Sequence, residues 1–164
     1  MTHVTKVYHQ ESYPAISPSS PANNHAGRTV LITGASGGLA FAIIHAFMQA
    51  SAANVILSGR KLEALNAAIE KLEAIRPPKS PTKLLPYESD INSLANIEAL
   101  WKTLANDGIA VDILILNAAT PYRGPLLNAS EQIWALFETN VLANIRMADK
   151  FLTQGPETGK VSSA

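Results

Sequence analysis

A chain of 164 residues with 13 basic and 13 acidic side chains and no Cys is long enough for one domain that buries about two thirds of its unfolded surface. Zero net charge gives it no field to draw nucleic acid or an anionic membrane as its main partner, and the lack of Cys excludes disulfides, thiolate metal sites and cysteine nucleophiles together. His3, His9, His25 and His45 show no ligand spacing, no apolar run approaches the ~20 residues that span a bilayer, and the N-terminus lacks a secretion-signal pattern. A soluble, cytoplasmic protein is expected.

Residues 1–27 hold Pro14, Pro18 and Pro21 among Ser and Asn with no sustained period, and read as an extended arm preceding a domain over 28–164. Beyond Arg28 the texture changes. Strand candidates at 29–33, 53–58, 83–88 and 111–117 alternate with helical periods, the βαβ pattern of a parallel sheet covered on both faces. The first strand runs into Gly34-Ala35-Ser36-Gly37-Gly38 and then a helix, an arrangement able to cradle a dinucleotide pyrophosphate. Gly34 allows the tight turn, Gly38 lets backbone approach phosphate, and the helix that follows offers free N–H groups. Within that helix, His45 is expected to be a satisfied side chain rather than a metal ligand.

After the second strand a helix carries Leu62, Leu65, Ile69, Leu72 and Ile75 on one face until Pro77-Pro78 stops it. The second strand ends in Ser58-Gly59-Arg60, with Gly59 where an acid would bond the ribose 2′-hydroxyl of NAD. Gly59 leaves room for a 2′-phosphate and Arg60 gives it a bidentate partner, so NADP is favoured over NAD; the other reading of Arg60 is a solvated side chain at a helix start. The next helix carries Leu94, Ile97, Leu100, Trp101 and Leu104. Asn128-Ala129-Ser130 matches a glycosylation triplet but reads as a loop ending in Ser130 as a helix cap. The last helical period, about 131–153, starts behind Ser130 and presents Ile133, Phe137, Val141, Ile145 and Leu152 on one stripe.

Four segments in order carry a resemblance. Thr33-Gly34-x-x-x-Gly38-Leu39-Ala40 resembles the Thr-Gly-x-x-x-Gly-x-Gly fingerprint of the short-chain dehydrogenase/reductase family, with Ala40 in place of the last glycine. Ser89-Asp90-Ile91 is similar to the segment whose Asp holds the adenine ring, and reads nearly as well as a helix-capping Asp. Leu116-Asn117-Ala118-Ala119 is similar to the family's Asn-Asn-Ala-Gly motif, keeping Asn117 and Ala118. Asn140, in Phe137-Glu138-Thr139-Asn140-Val141, matches the Asn that interrupts the following helix and holds a water in the proton relay. The resemblance covers residues 28 to about 150.

The resemblance implies an α/β fold, a Rossmann-like doubly wound parallel sheet of strand order 3-2-1-4-5-6. It implies a nicotinamide dinucleotide held by Thr33, Gly34, Ser36, Gly38, Leu39, Arg60, Asp90, Asn117 and Ala118, and hydride transfer with a small-molecule carbonyl or alcohol. In the family a Ser orients the oxygen, and a Tyr-x-x-x-Lys pair moves the proton, Lys lowering the Tyr pKa. This sequence departs there. Four residues after Tyr8, Tyr13, Tyr87 and Tyr122 stand Ser12, Ser17, Ile91 and Leu126. Ser162-Ser163 resembles the family's Ser pair, so the candidate catalytic residues are Asn140 and Ser163, but Gly159-Lys160-Val161 leaves one apolar residue where a fifth strand should be. The expectation is an incomplete domain truncated after about four strands, with the fourth at an edge and no appreciable hydride transfer by the chain as written. The edge and the 131–153 helix are then candidate surfaces for a homo-oligomer. Two other readings stay open: a non-catalytic dinucleotide-binding or protein-interaction module, and a small α/β protein with an empty glycine turn.

Overall fold

Four apolar runs form the strands β1 (Thr29–Thr33), β2 (Asn54–Gly59), β3 (Lys83–Glu88) and β4 (Ile113–Ile115) of one sheet, ordered β3-β2-β1-β4. Every pairing is parallel, with Leu31 facing Ile56 across β1 and β2 and Leu114 across β1 and β4. The computed structural model describes residues 13–125 and 127–154. Between the strands run α1 (Leu39–Gln49), α2 (Leu62–Ala74) and α3 (Leu94–Asn106); after β4 come α4 (Ser130–Phe137) and α5 (Ala143–Thr153). None of the described helices is long and apolar enough to cross a membrane.

Strand side chains alternate between faces, so two cores form. Val30, Ile32, Val55 and Leu57 pack with Ile44, Met48, Leu65 and Leu72 of α1 and α2. Leu31 and Ile56 face the other way, onto Ile97, Leu100, Trp101 and Leu104 of α3 and Ala143 and Met147 of α5. β3 lies at one edge of the described sheet and tolerates Pro86, which has no N–H to give a further neighbour. β4 lies at the other.

The elements differ from the sequence reading in four places. Residues 13–27 are not uniformly extended. Pro14 and Pro21 each open a short 3₁₀ turn, their fixed φ suiting a first helical position, and Asn23 Nδ2 donates to the carbonyls of Ala15 and Ser17 at 3.2 and 2.9 Å. β4 spans three residues rather than 111–117, because side chains take over its ends: Asp112 accepts from the Thr29 N–H at 2.8 Å, and the Gln154 amide pairs with both the N–H and C=O of Val111.

The cap of α4 is Ala129, which makes no side-chain bond, and Ser130 is the first helical residue rather than the cap. The helical period over 131–153 does not form one helix but is broken around Asn140, as the resemblance implies: α4 and α5 are joined by a π turn over Glu138–Leu142, where the Ala143 N–H reaches back five residues to the Glu138 carbonyl. The predicted stripe there is exposed, with Phe137 at 47%, Ile145 at 59% and Leu152 at 69%, because no described strand lies beyond β4 for it to cover.

Candidate functional site

The C-terminal ends of β1 and β4 are tied through one buried hydroxyl. Thr33 Oγ1 accepts from the backbone N–H groups of Asn117 and Ala118 at 3.1 and 3.0 Å, and Asn117 Nδ2 returns bonds to the Thr33 and Gly34 carbonyls at 3.0 and 3.3 Å. Thr33 is fully buried, so its side chain supports the turn from beneath. Gly34 follows at φ +65°, and a Cβ there would stand 2.8 Å from the Ala118 Cα. Glycine is required both for the left-handed turn and for the contact of β1 with the segment after β4.

Gly38, at φ +61° and ψ −137°, is the N-cap of α1 and has no atom within 4 Å of a would-be Cβ. α1 has no side-chain cap, whereas Ser93 Oγ caps α3 and Glu88 Oε2 accepts from the first N–H of α2 at 3.1 Å. The positive end of α1 is therefore left open at the glycine turn, the condition under which a helix terminus accepts an anion.

A cleft of about 330 Å³ opens along the C-terminal ends of the strands. It brings together Gly34, Ser36 and Leu39 from the β1–α1 turn, Gly59 and Arg60 after β2, Ser89 and Asp90 after β3, and Asn117 and Ala118 after β4. Thr33 and Gly38 are not part of its lining. Arg60 is exposed, and among the described residues its guanidinium has no ion pair or hydrogen bond. Asp90 does not cap α3; its Oδ1 accepts from the Asn92 N–H at 3.0 Å, closing a local turn, while Ser93 is the cap. His45, set apart from the cleft, donates a ring N–H to the Ile75 carbonyl at 3.3 Å.

Asn140 lies in the π turn, and its side chain is bonded at both ends: Oδ1 accepts from the Thr120 N–H at 2.8 Å and Nδ2 donates to the Thr120 carbonyl at 3.0 Å. Ser163 lies outside the described residues. The cleft is also lined by Ile91, Asn92, Ala119, Thr120 and Thr139, which the sequence reading did not name as site residues. Thr139 stands beside Asn140 and Thr120 two residues past Ala118, but a small polar side chain carries no periodic signal.

The described tyrosines take other roles. Tyr87 donates to Asp107 Oδ2 at 2.7 Å, and its pKa is pushed up to about 12, first by burial and then by that bond. It remains a neutral donor throughout the neutral range. Tyr122 donates to the Pro125 carbonyl at 2.5 Å.

The parallel sheet, the glycine turn at β1–α1 and the cleft beyond the strand ends define a Rossmann-like α/β domain. More narrowly, the chain belongs to the short chain dehydrogenase family, whose sequence model matches residues 28–161. It is 31% identical over 159 residues to the short chain dehydrogenase/reductase AacuD of Aspergillus aculeatus, covering 94% of this chain and 53% of that protein. With nsrO of Aspergillus novofumigatus the identity is 27% over 159 residues, covering 95% and 52%. The chain thus spans about half the length of the curated relatives it matches.

Among solved structures, L-sorbose reductase from Gluconobacter frateurii, complexed with NADPH and L-sorbose, superposes with a TM-score of 0.68 at 25% identity, over 79% of this chain and 48% of that one. The 3-oxoacyl-[acyl-carrier protein] reductase of Brucella melitensis shares the fold at a TM-score of 0.67 and 20% identity, over 91% and 54%. The family is one of oxidoreductases that bind NAD(P).

Proposed function

We propose that the cleft holds a nicotinamide dinucleotide, NADPH in preference to NADH, and that the whole protein transfers hydride between it and the carbon of a small carbonyl or alcohol. The observation that carries this reading is the exposed, unpaired Arg60 beside Gly59 at the cleft. A carboxylate there would serve a ribose 2′-hydroxyl; a glycine followed by a free guanidinium serves a 2′-phosphate. The open N-terminus of α1 fits a pyrophosphate, and the unobstructed Gly38, outside the cleft lining, leaves its approach to that terminus clear.

The dinucleotide supplies the hydride when bound. The work of this chain is to bind and orient: Ser36 and the α1 amides toward phosphate, Arg60 toward the 2′-phosphate, Asp90 toward the adenine end, and Asn117 and Ala118 along the floor. Asn140 is committed through its side chain to Thr120, and its main-chain carbonyl accepts from Asn144 Nδ2 at 2.8 Å, which leaves the second lone pair of that carbonyl for a proton relay.

The test is titration of the chain with NADPH and NADH, followed by cofactor fluorescence. Binding of NADPH tighter by about tenfold, the equivalent of ~1.4 kcal/mol, is expected; equal binding or a preference for NADH overturns the assignment. We infer further that the exposed stripe of Phe137, Val141, Ile145 and Leu152 pairs two copies of the chain. A mass of one chain by light scattering at micromolar concentration would remove that inference.

A further inference from the structure

We propose that Asn144 is a positioning residue for the cleft, holding the π turn that places Thr139 in the cleft wall and ties Asn140 to Thr120. The inference rests on the cofactor reading only for what the cleft holds. A π turn shifts a backbone N–H from the fourth to the fifth preceding carbonyl, as Ala143 does toward Glu138. Side chains brace the backbone on both sides of this turn, on the first side at the Ala135 carbonyl, which also accepts from the Glu138 N–H. Thr139 Oγ1 donates to the Ala135 carbonyl at 3.1 Å, and Asn144 Nδ2 donates to the Asn140 carbonyl at 2.8 Å.

From Asn140 the chain of contacts continues through its side chain to both backbone groups of Thr120, and Thr120 and Thr139 line the cleft together. The other polar atom of Asn144 argues the same way. Oδ1 is buried and has no hydrogen-bond partner, which is a cost to the fold. What the side chain contributes is the bond made by Nδ2.

The protein contains its own control for this bond. Thr103, Thr139 and Thr153 each donate a hydroxyl to the carbonyl four residues earlier, at 2.9, 3.1 and 2.8 Å. A Thr at 144 can make the same bond to Asn140, while Val has the same shape and no donor.

The experiment compares Asn144→Val with Asn144→Thr in the full 164-residue chain, reading amide hydrogen exchange by NMR and NADPH affinity by fluorescence. Asn144→Val is expected to speed exchange of the Thr120 amide ~10-fold while Ile32 and Ile56 in the sheet exchange as before, and to weaken NADPH several-fold; Asn144→Thr restores both. Unchanged Thr120 exchange in the Val variant, equal acceleration at every amide, or a Thr variant no better than Val overturns the proposal. If the branched pair does not fold, Asn144→Ala and Asn144→Ser make the same comparison. A wild-type chain that binds no NADPH defeats the cofactor reading alone, because the exchange rates and their rescue are measured without cofactor.

Discussion

Gly34 and Ala118 are in contact, with no room for a side chain between them: the Cβ that any other residue would place at 34 lies 2.8 Å from the Ala118 Cα and 3.0 Å from its Cβ. The first glycine of the turn therefore joins the β1 end to the segment after β4, besides shaping the β1–α1 turn. Gly34→Ala is expected to cost about 1–2 kcal/mol for the left-handed backbone and ~1–3 kcal/mol more for the overpacked contact. Thermal unfolding measures it. A variant as stable as wild type would mean that the two strand ends are not held together.

Thr33 makes the same junction by hydrogen bonds. Thr33→Val keeps the shape and removes the acceptor for the Ala118 N–H, which then has no partner; Asn117 N–H retains the Ile115 carbonyl at 3.1 Å. One orphaned donor predicts a loss of about 1–3 kcal/mol in denaturant unfolding, with NADPH affinity lowered as the Asn117 and Ala118 wall loosens. Unchanged stability would place the Thr33 hydroxyl outside this network.

Tyr87 gives the chain an alkaline limit. Its phenol is raised from its ordinary value of 10.0 to about 12 in the folded state, by burial and by Asp107, so folding favours the neutral form. The stabilisation is complete below the unfolded pKa and is lost as pH rises through 10 toward 12. Wild type should lose stability across that interval more steeply than Tyr87→Phe, and absorbance titration should show a late phenol step that the variant lacks. Parallel stability curves for the two proteins would refute the assignment.

The sheet was legible because each strand carries its own apolar run and each helix its own period. What was not legible depends on partners far along the chain. β4 is shortened by Asp112 meeting Thr29 and Gln154 meeting Val111, 83 and 43 residues apart, and neither pairing leaves a local signal. The break in the last helix was implied by the resemblance at Asn140 but is hidden from the apolar period. Phe137, Val141 and Ile145 keep a spacing of four across the π turn, so the apolar pattern runs on while the backbone changes. In the cleft, Gly34 and Asn117 announced themselves by motif, whereas Thr120 and Thr139 carry no such signal and are brought together where Asn140 bridges two segments 20 residues apart.

Gly38→Asp separates folding from binding. No atom lies within 4 Å of its would-be Cβ, and a carboxylate at the start of α1 complements the helix dipole by about 0.3–1 kcal/mol, partly offsetting the strained backbone. The variant should stay folded by circular dichroism and bind neither NADPH nor NADH, since charge and side chain would meet the pyrophosphate. Retained binding by the folded variant would move the phosphates away from α1.

The cofactor preference is tested by a pair of changes at neighbouring positions. Arg60→Ala should weaken NADPH about tenfold and leave NADH unchanged; the effect lies at the low end for a charged hydrogen bond because Arg60 is exposed, and solvent and salt screen it. For the same reason the wild-type preference should shrink as ionic strength rises. Gly59→Asp should then raise NADH affinity by giving the ribose 2′-hydroxyl an acceptor. The fold can admit it: the new Cβ would lie 3.0 Å from Leu65 Cδ2, the far end of a flexible side chain. With both changes the order of affinities should invert. A double variant that still prefers NADPH would show that the 2′-phosphate is read by residues other than Arg60.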